Sequence, residues 1–200
     1  DTQRVEIIAD NDGSKFATGH FDTTGNWSDA GKAAFAYKKA TLENGDHPFT
    51  AGTALKANLS GKKEASATAQ WKASIPSDGK YAVYVSYVSL PNSTTAAEYI
   101  VKAADGDHCF TINQKMGGGT WIYLGHFPFK KSNGVKTIVE LSNAGKNKKS
   151  VVTADAVKFG GGMGNVARKV KDSTDDIDFE YVTSGYPRFT EGARYFLQWA

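Results

Sequence analysis

The chain predicts an all-β fold: an antiparallel β-sandwich of jelly-roll type, with a C-terminal extension ending in a short α-helix. Three observations predict it. Short runs rich in β-branched and aromatic residues alternate apolar and polar side chains, the period of a half-buried strand. Turn residues recur about every eight to twelve positions, the spacing of a sandwich. The 21 glycines and the 12% aromatic content suit tight turns and pleated surfaces.

About nine strands follow from this pattern. Arg4 to Ala9 is the first, closed by the turn Asp10-Asn11-Asp12-Gly13-Ser14. A polar, glycine-spaced stretch holds Trp27. Lys32 to Lys39 fits a strand through Phe35 and Tyr37 or a short helix through its alanines, and its context favours the strand. Thr41 to Asn58 is a long excursion. From Glu64 the alternation sharpens, with Ala65, Ala67, Ala69 and Trp71 on one face. Pro76-Ser77-Asp78-Gly79 turns the chain, because proline presets φ and glycine takes the positive φ. Lys80 to Val88 is the strongest strand, with Tyr81, Val83, Val85 and Tyr87 sharing a face. Glu98 to Ala103 and His108 to Asn113 form a hairpin around Asp105-Gly106, a favoured two-residue turn. Thr120 to Phe127, Val135 to Leu141 and Val151 to Phe159 complete the set.

After Phe159 the character changes. Gly160-Gly161-Gly162-Met163-Gly164-Asn165 is a flexible linker by composition. Thr190 is an N-cap, and Phe189, Ala193, Phe196, Leu197 and Ala200 fall on one helical face. The apolar pattern stops in mid-course at Ala200, as expected of the start of an adjoining segment. The division is therefore 1–159 for the sandwich and 160–200 for the linker and that segment.

Several residue sets carry a resemblance. Asn113-Gln114 precedes a glycine loop and Trp121-Ile122-Tyr123-Leu124-Gly125, and Ala154-Asp155-Ala156-Val157-Lys158-Phe159 closes the domain. Ile7-Ile8-Ala9-Asp10-Asn11, Ala67-Thr68-Ala69-Gln70-Trp71 and Gly79 to Val85 precede them. Together they resemble the golvesin C-terminal domain, also described as the carbohydrate-binding-like domain of xanthan lyases. The stretch Thr41 to Lys63 is longer than that pattern. Residues 160–200, with Ser184-Gly185-Tyr186-Pro187-Arg188-Phe189, resemble large exported Bacteroidetes proteins labelled xanthan lyases or N-acetylmuramoyl-alanine amidases. The resemblance implies a non-catalytic accessory module of an exported hydrolase or lyase. Its expected partners are a polysaccharide or peptidoglycan glycan and the adjoining catalytic domain of the same polypeptide.

Composition excludes other classes. Net charge is +3, nearly all from lysine, without the arginine-bearing basic stripe of a nucleic-acid binder. Lysines are scattered except in the loop of Lys146, Lys148 and Lys149, where solvated charge is the ordinary reading. The single cysteine, Cys109, forms no intrachain disulfide. Its neighbour His108 faces the other side of the strand, so no thiolate–base pair arises. No window has transmembrane length, and no signal peptide is legible at Asp1.

Sugar-binding sandwiches present Trp or Tyr faces to pyranose C–H bonds, with amide, acidic or lysine side chains bonding the hydroxyls. Trp71 and Trp121 alternate with apolar neighbours and belong in the core; Trp199 packs on the terminal helix. Trp27, in its polar loop, is the best platform candidate, followed by Tyr37 and Tyr87. Asn113 and Gln114 are candidate hydroxyl partners, although a tight glycine connection explains that loop without a ligand. No Lys-Ser/Thr pair or helix follows, so it is not a phosphate loop. Asp10 and Asp12 start like a calcium loop but lack a Glu at the twelfth position, so they are weak candidates for a structural calcium; no other cofactor is expected. The histidines show no zinc spacing. Asp176, Asp178 and Glu180 read as a solvated face rather than an acid–base pair. Glu191, Arg188 and Arg194 read as helix capping and surface pairing rather than a catalytic wall. The leading expectation is glycan binding. A ligand-free spacer and a fragment of an amidase-like enzyme are the alternatives.

Overall fold

The computed structural model describes residues 6–13, 19–36 and 48–160. Tyr37, the residues 160–200 apart from Gly160, and with them the Thr190 helix, Trp199, the acidic run and the Glu191 group, lie outside the described residues. Residues Ile7–Phe159 form one compact unit. Among the described residues there are twelve strands, one 3-10 turn at Pro48–Thr50 and no α-helix.

The strands are β1 (Ile7–Asp10), β2 (His20–Thr24), β3 (Ser28–Asp29), β4 (Leu55–Asn58), β5 (Thr68–Ala73) and β6 (Gly79–Val85). They continue with β7 (Ala97–Ala103), β8 (Gly106–Ile112), β9 (Ile122–Phe129), β10 (Lys136–Ser142), β11 (Val151–Ala154) and β12 (Ala156–Phe159). A four-stranded sheet β1-β12-β6-β9 faces a five-stranded sheet β2-β5-β10-β7-β8, and a small sheet β11-β4-β3 adjoins them. Every pairing between these strands is antiparallel.

The period-2 rule builds the core. Tyr81, Val83 and Val85 of β6 meet Val157, Phe159, Phe127 and Phe129 on the inner face of one sheet. Trp71, Val139, Leu141, Tyr99 and Val101 supply the other. Trp71 is 1% exposed, stacks on Tyr99 at 6.2 Å between ring centroids, and donates its indole N–H to the Asp155 carbonyl at 3.0 Å. Burying such a side chain contributes about 3 kcal/mol.

The structure departs from the sequence pattern at identifiable places. Lys32–Ala36 is not a strand: only Ala34 pairs, with Gly52, and the Phe35 N–H goes to the Asp155 carboxylate instead of a ladder. β2, β3 and β4 carry no alternation signal, because β2 is mostly exposed and the other two are short. Val151–Phe159 is two strands, since the chain crosses from the small sheet to the four-stranded one at Asp155. The β7–β8 turn is centred on Ala104-Asp105, with Gly106 already pairing Ala103 at φ 127°.

Candidate ligand-binding surface

The outer face of the four-stranded sheet is where β6 and β9 put the alternate residues. Tyr84 stands opposite Tyr123, and Ala82 opposite His126. A bulge between Val83 and Tyr84 leaves Leu124 as the extra residue of β9, so both Tyr123 and His126 emerge on this face. Tyr123 is 50% exposed, one of three large apolar side chains in that state among the described residues, with Met116 and Val135. Its ring packs on Tyr84 at 5.2 Å and edge-on against His126 at 5.6 Å. On β12, Lys158 sets its ammonium 4.6 Å from the Tyr84 centroid and 5.4 Å from that of Trp121, within cation–π range. Trp121 is half-buried; it lies not in the main core but in a second cluster with Ile8, Phe35 and Phe49, its ring 4.8 Å from that of Phe35.

Electrostatics sharpen this surface. Partial burial, with Lys80 nearby, holds His126 below its ordinary pKa, so the ring is neutral near pH 7. Partial burial raises the Tyr123 phenol, which keeps its proton. The Tyr123 hydroxyl therefore donates to His126 Nδ1, and this assignment leaves Nε2–H as a free donor beside an open aromatic ring. Such an arrangement suits a group with an apolar face and a hydroxyl rim.

The residues singled out in the sequence fall elsewhere. Trp27 is half-buried at the margin of the main core, and its indole N–H is spent on the Thr24 carbonyl at 3.0 Å. Tyr87 is 2% exposed and donates to the Met116 carbonyl at 2.8 Å. Gln114 is wholly buried. Its amide donates to Tyr99 Oη at 3.0 Å and the Thr153 carbonyl at 2.8 Å, and its oxygen accepts from the Thr153 N–H at 2.8 Å. Both Tyr87 and Gln114 anchor the glycine loop from inside. Asn113 is exposed, but its carboxamide oxygen closes a local turn by accepting from the Lys115 N–H at 3.0 Å. Gly117 and Gly119 have φ of 76° and 78°, and the Gly118 N–H docks on Ser89 Oγ at 3.1 Å, so this loop is packed against residues 87–89. The structure does not bring these side chains to one surface.

Asp10 and Asp12 belong to a turn tied to Thr53. Asp12 Oδ1 accepts from Thr53 Oγ1 at 2.6 Å and Oδ2 from the Thr53 N–H at 2.8 Å. Among the described residues no three His, Cys, Asp or Glu side chains converge to hold a metal. Behind this turn Asp155 is fully buried, its carboxylate bonded to Ser86 Oγ and the Phe35 N–H. Burial pushes this carboxyl up to about 8, and Asp10 and Asp12 add to the rise.

The sequence reading missed Tyr84, Tyr123 and His126. The signal was present in part: Tyr84 alternates out of phase with the Tyr81–Tyr87 face, so it lies on the other face of the sheet, where it is 3% exposed and packed against Tyr123.

The described residues define an antiparallel β-sandwich with an aromatic cluster on one outer face. The golvesin C-terminal domain family model matches residues 7–161, so the chain belongs to that family. Among solved structures, a Paenibacillus xanthan lyase, solved at 2.6 Å, is similar with a TM-score of 0.60 and 22% identity. The match covers 78% of this chain and 13% of that one, and at this identity it shows a shared fold. No curated protein matches the chain in sequence.

Proposed function

We propose that this domain is a non-catalytic carbohydrate-binding module that holds a glycan on its Tyr123 face and concentrates an exported hydrolase or lyase on a polysaccharide or on peptidoglycan. The observation that carries the reading is the half-exposed Tyr123 ring, braced by Tyr84 and flanked by the His126 donor. An aromatic held rigid at a surface loses little entropy when a sugar ring stacks on it. The accessory-domain family supports the non-catalytic reading. Among the described residues no helix is long and apolar enough to cross a membrane.

Affinity electrophoresis through gels holding a polysaccharide panel, with soluble muropeptides followed by calorimetry, tests the reading. Retardation by one glycan class, lost in Tyr123→Ala and retained in Trp27→Phe, is expected. A chain that migrates freely through every gel and gives no heat with muropeptides would instead be a ligand-free spacer.

A further inference from the structure

Two loops at one end of the sandwich are joined edge to edge. The Gly61 N–H donates to the Gly145 carbonyl at 2.8 Å, and the Gly145 N–H returns a bond to the Lys62 carbonyl at 2.8 Å. The Lys148 stem lies against Gly61, so closely that any Cβ there would collide with it. Asn58 and Asn92 hold the Lys148 and Lys149 carbonyls at 3.0 and 3.3 Å. This scaffold gathers Lys62, Lys63, Lys146, Lys148 and Lys149, all exposed. Lys115 approaches from the glycine loop, its ammonium on the Pro91 carbonyl at 2.9 Å, next to Asn92.

The charge at this end is one-sided. Between Leu59 and Ser66 and between Asn143 and Ser150 the only acidic residue is Glu64. None of the six lysines makes an ion pair among the described residues. Elsewhere, Lys72 pairs with Asp22, Lys102 with Asp107 and Lys130 with Asp78. Unneutralised lysines held on a hydrogen-bonded scaffold repel one another, and a polyanion relieves that repulsion while releasing counterions.

We propose that this lysine end is a docking surface for an acidic polysaccharide, a polymer with carboxylates spaced along its length. The proposal rests on the glycan-binding reading and extends it from one stacked sugar to the charge of the chain. A nucleic acid fits less well, because these loops carry neither arginine nor an exposed aromatic for base stacking. An anionic membrane fits less well, because among the described residues Met116 is the one large apolar side chain exposed here.

Polygalacturonate, a neutral β-glucan, anionic lipid vesicles and duplex DNA are the probes, each titrated against the whole chain. Polygalacturonate is expected to bind, and its affinity to fall about tenfold between about 50 and about 200 mM salt. Changing the five loop lysines to Gln is expected to abolish that binding with the circular dichroism unchanged, and changing them to Arg to retain it. Equal polygalacturonate binding by the Gln variant, or tighter binding of vesicles or DNA, overturns the proposal. If the chain binds the neutral glucan through Tyr123 but not polygalacturonate, the lysine proposal alone fails. If it binds neither, the glycan-binding reading fails as well.

Discussion

Ser86 Oγ donates to Asp155 Oδ2 at 2.5 Å, linking the end of β6 to the residue at which the chain passes from β11 into β12. The Phe35 N–H adds a second bond at 3.3 Å, while Oδ1 has no hydrogen-bond partner among the described residues. A carboxyl so placed is costly to ionise, which is why burial raises it from 3.8 to about 8.

That shift makes stability depend on pH with a defined sign. The folded domain keeps the Asp155 proton up to about pH 8, while the unfolded chain releases it near its ordinary value of 3.8. The contribution is whole below about pH 4 and is lost as pH rises through about 8. Asp155→Asn keeps an acceptor for Ser86 and Phe35 without the charge. Thermal melts are expected to show the variant gaining on the parent from pH 5 to pH 9, by about 10 °C at the upper end. A parent–variant difference independent of pH would contradict the assignment.

Gln114→Leu tests the internal anchor of the glycine loop. It leaves the Thr153 N–H and carbonyl and the Tyr99 hydroxyl without their amide partner. The expected loss is about 2–4 kcal/mol, read as a lower urea midpoint at unchanged slope.

Gly52 shows close packing in the loop that holds Asp12. A Cβ there would strike the Phe35 carbonyl and the Asp12 carboxylate, whereas Gly134 has open space around it. Gly52→Ala is expected to lower the melting temperature by several degrees, about 2 kcal/mol or more, and Gly134→Ala to change it by less than about 2 °C.

Core and surface aromatics should separate cleanly. Trp71→Ala empties the centre of the main cluster and is expected to cost about 3–5 kcal/mol. Tyr123→Ala is expected to cost about 1 kcal/mol or less in denaturant while removing glycan binding. Equal destabilisation by both would mean that Tyr123 serves the fold.

The fold was legible where alternation marks the residues that face the main core. The face shared by Tyr81, Val83, Val85 and Tyr87, and the Trp71 strand, follow from alternation alone. Legibility failed where neighbours far along the chain decide the outcome. Phe35 alternates like a strand residue, yet its N–H is taken by Asp155, 120 positions away. Gln114 reads as a surface amide beside Asn113, yet it is buried because Thr153 and Tyr99 supply all its partners. The candidate surface was half legible: phase places Tyr84 on the face opposite the main core, where it is buried beside Tyr123, but the bulge that brings His126 beside Tyr123 is invisible in sequence.

The most direct test of the central claim is the ring resonances of the labelled chain, followed by NMR while the glycan that retards it most is added. Tyr123 and His126 are expected to shift saturably, Tyr84 to follow, and Trp27 and Tyr87 to stay in place. Saturable shifts at Trp27 or around Asn113 with Tyr123 and His126 unmoved, or no ring shift with any glycan of the panel, would contradict it.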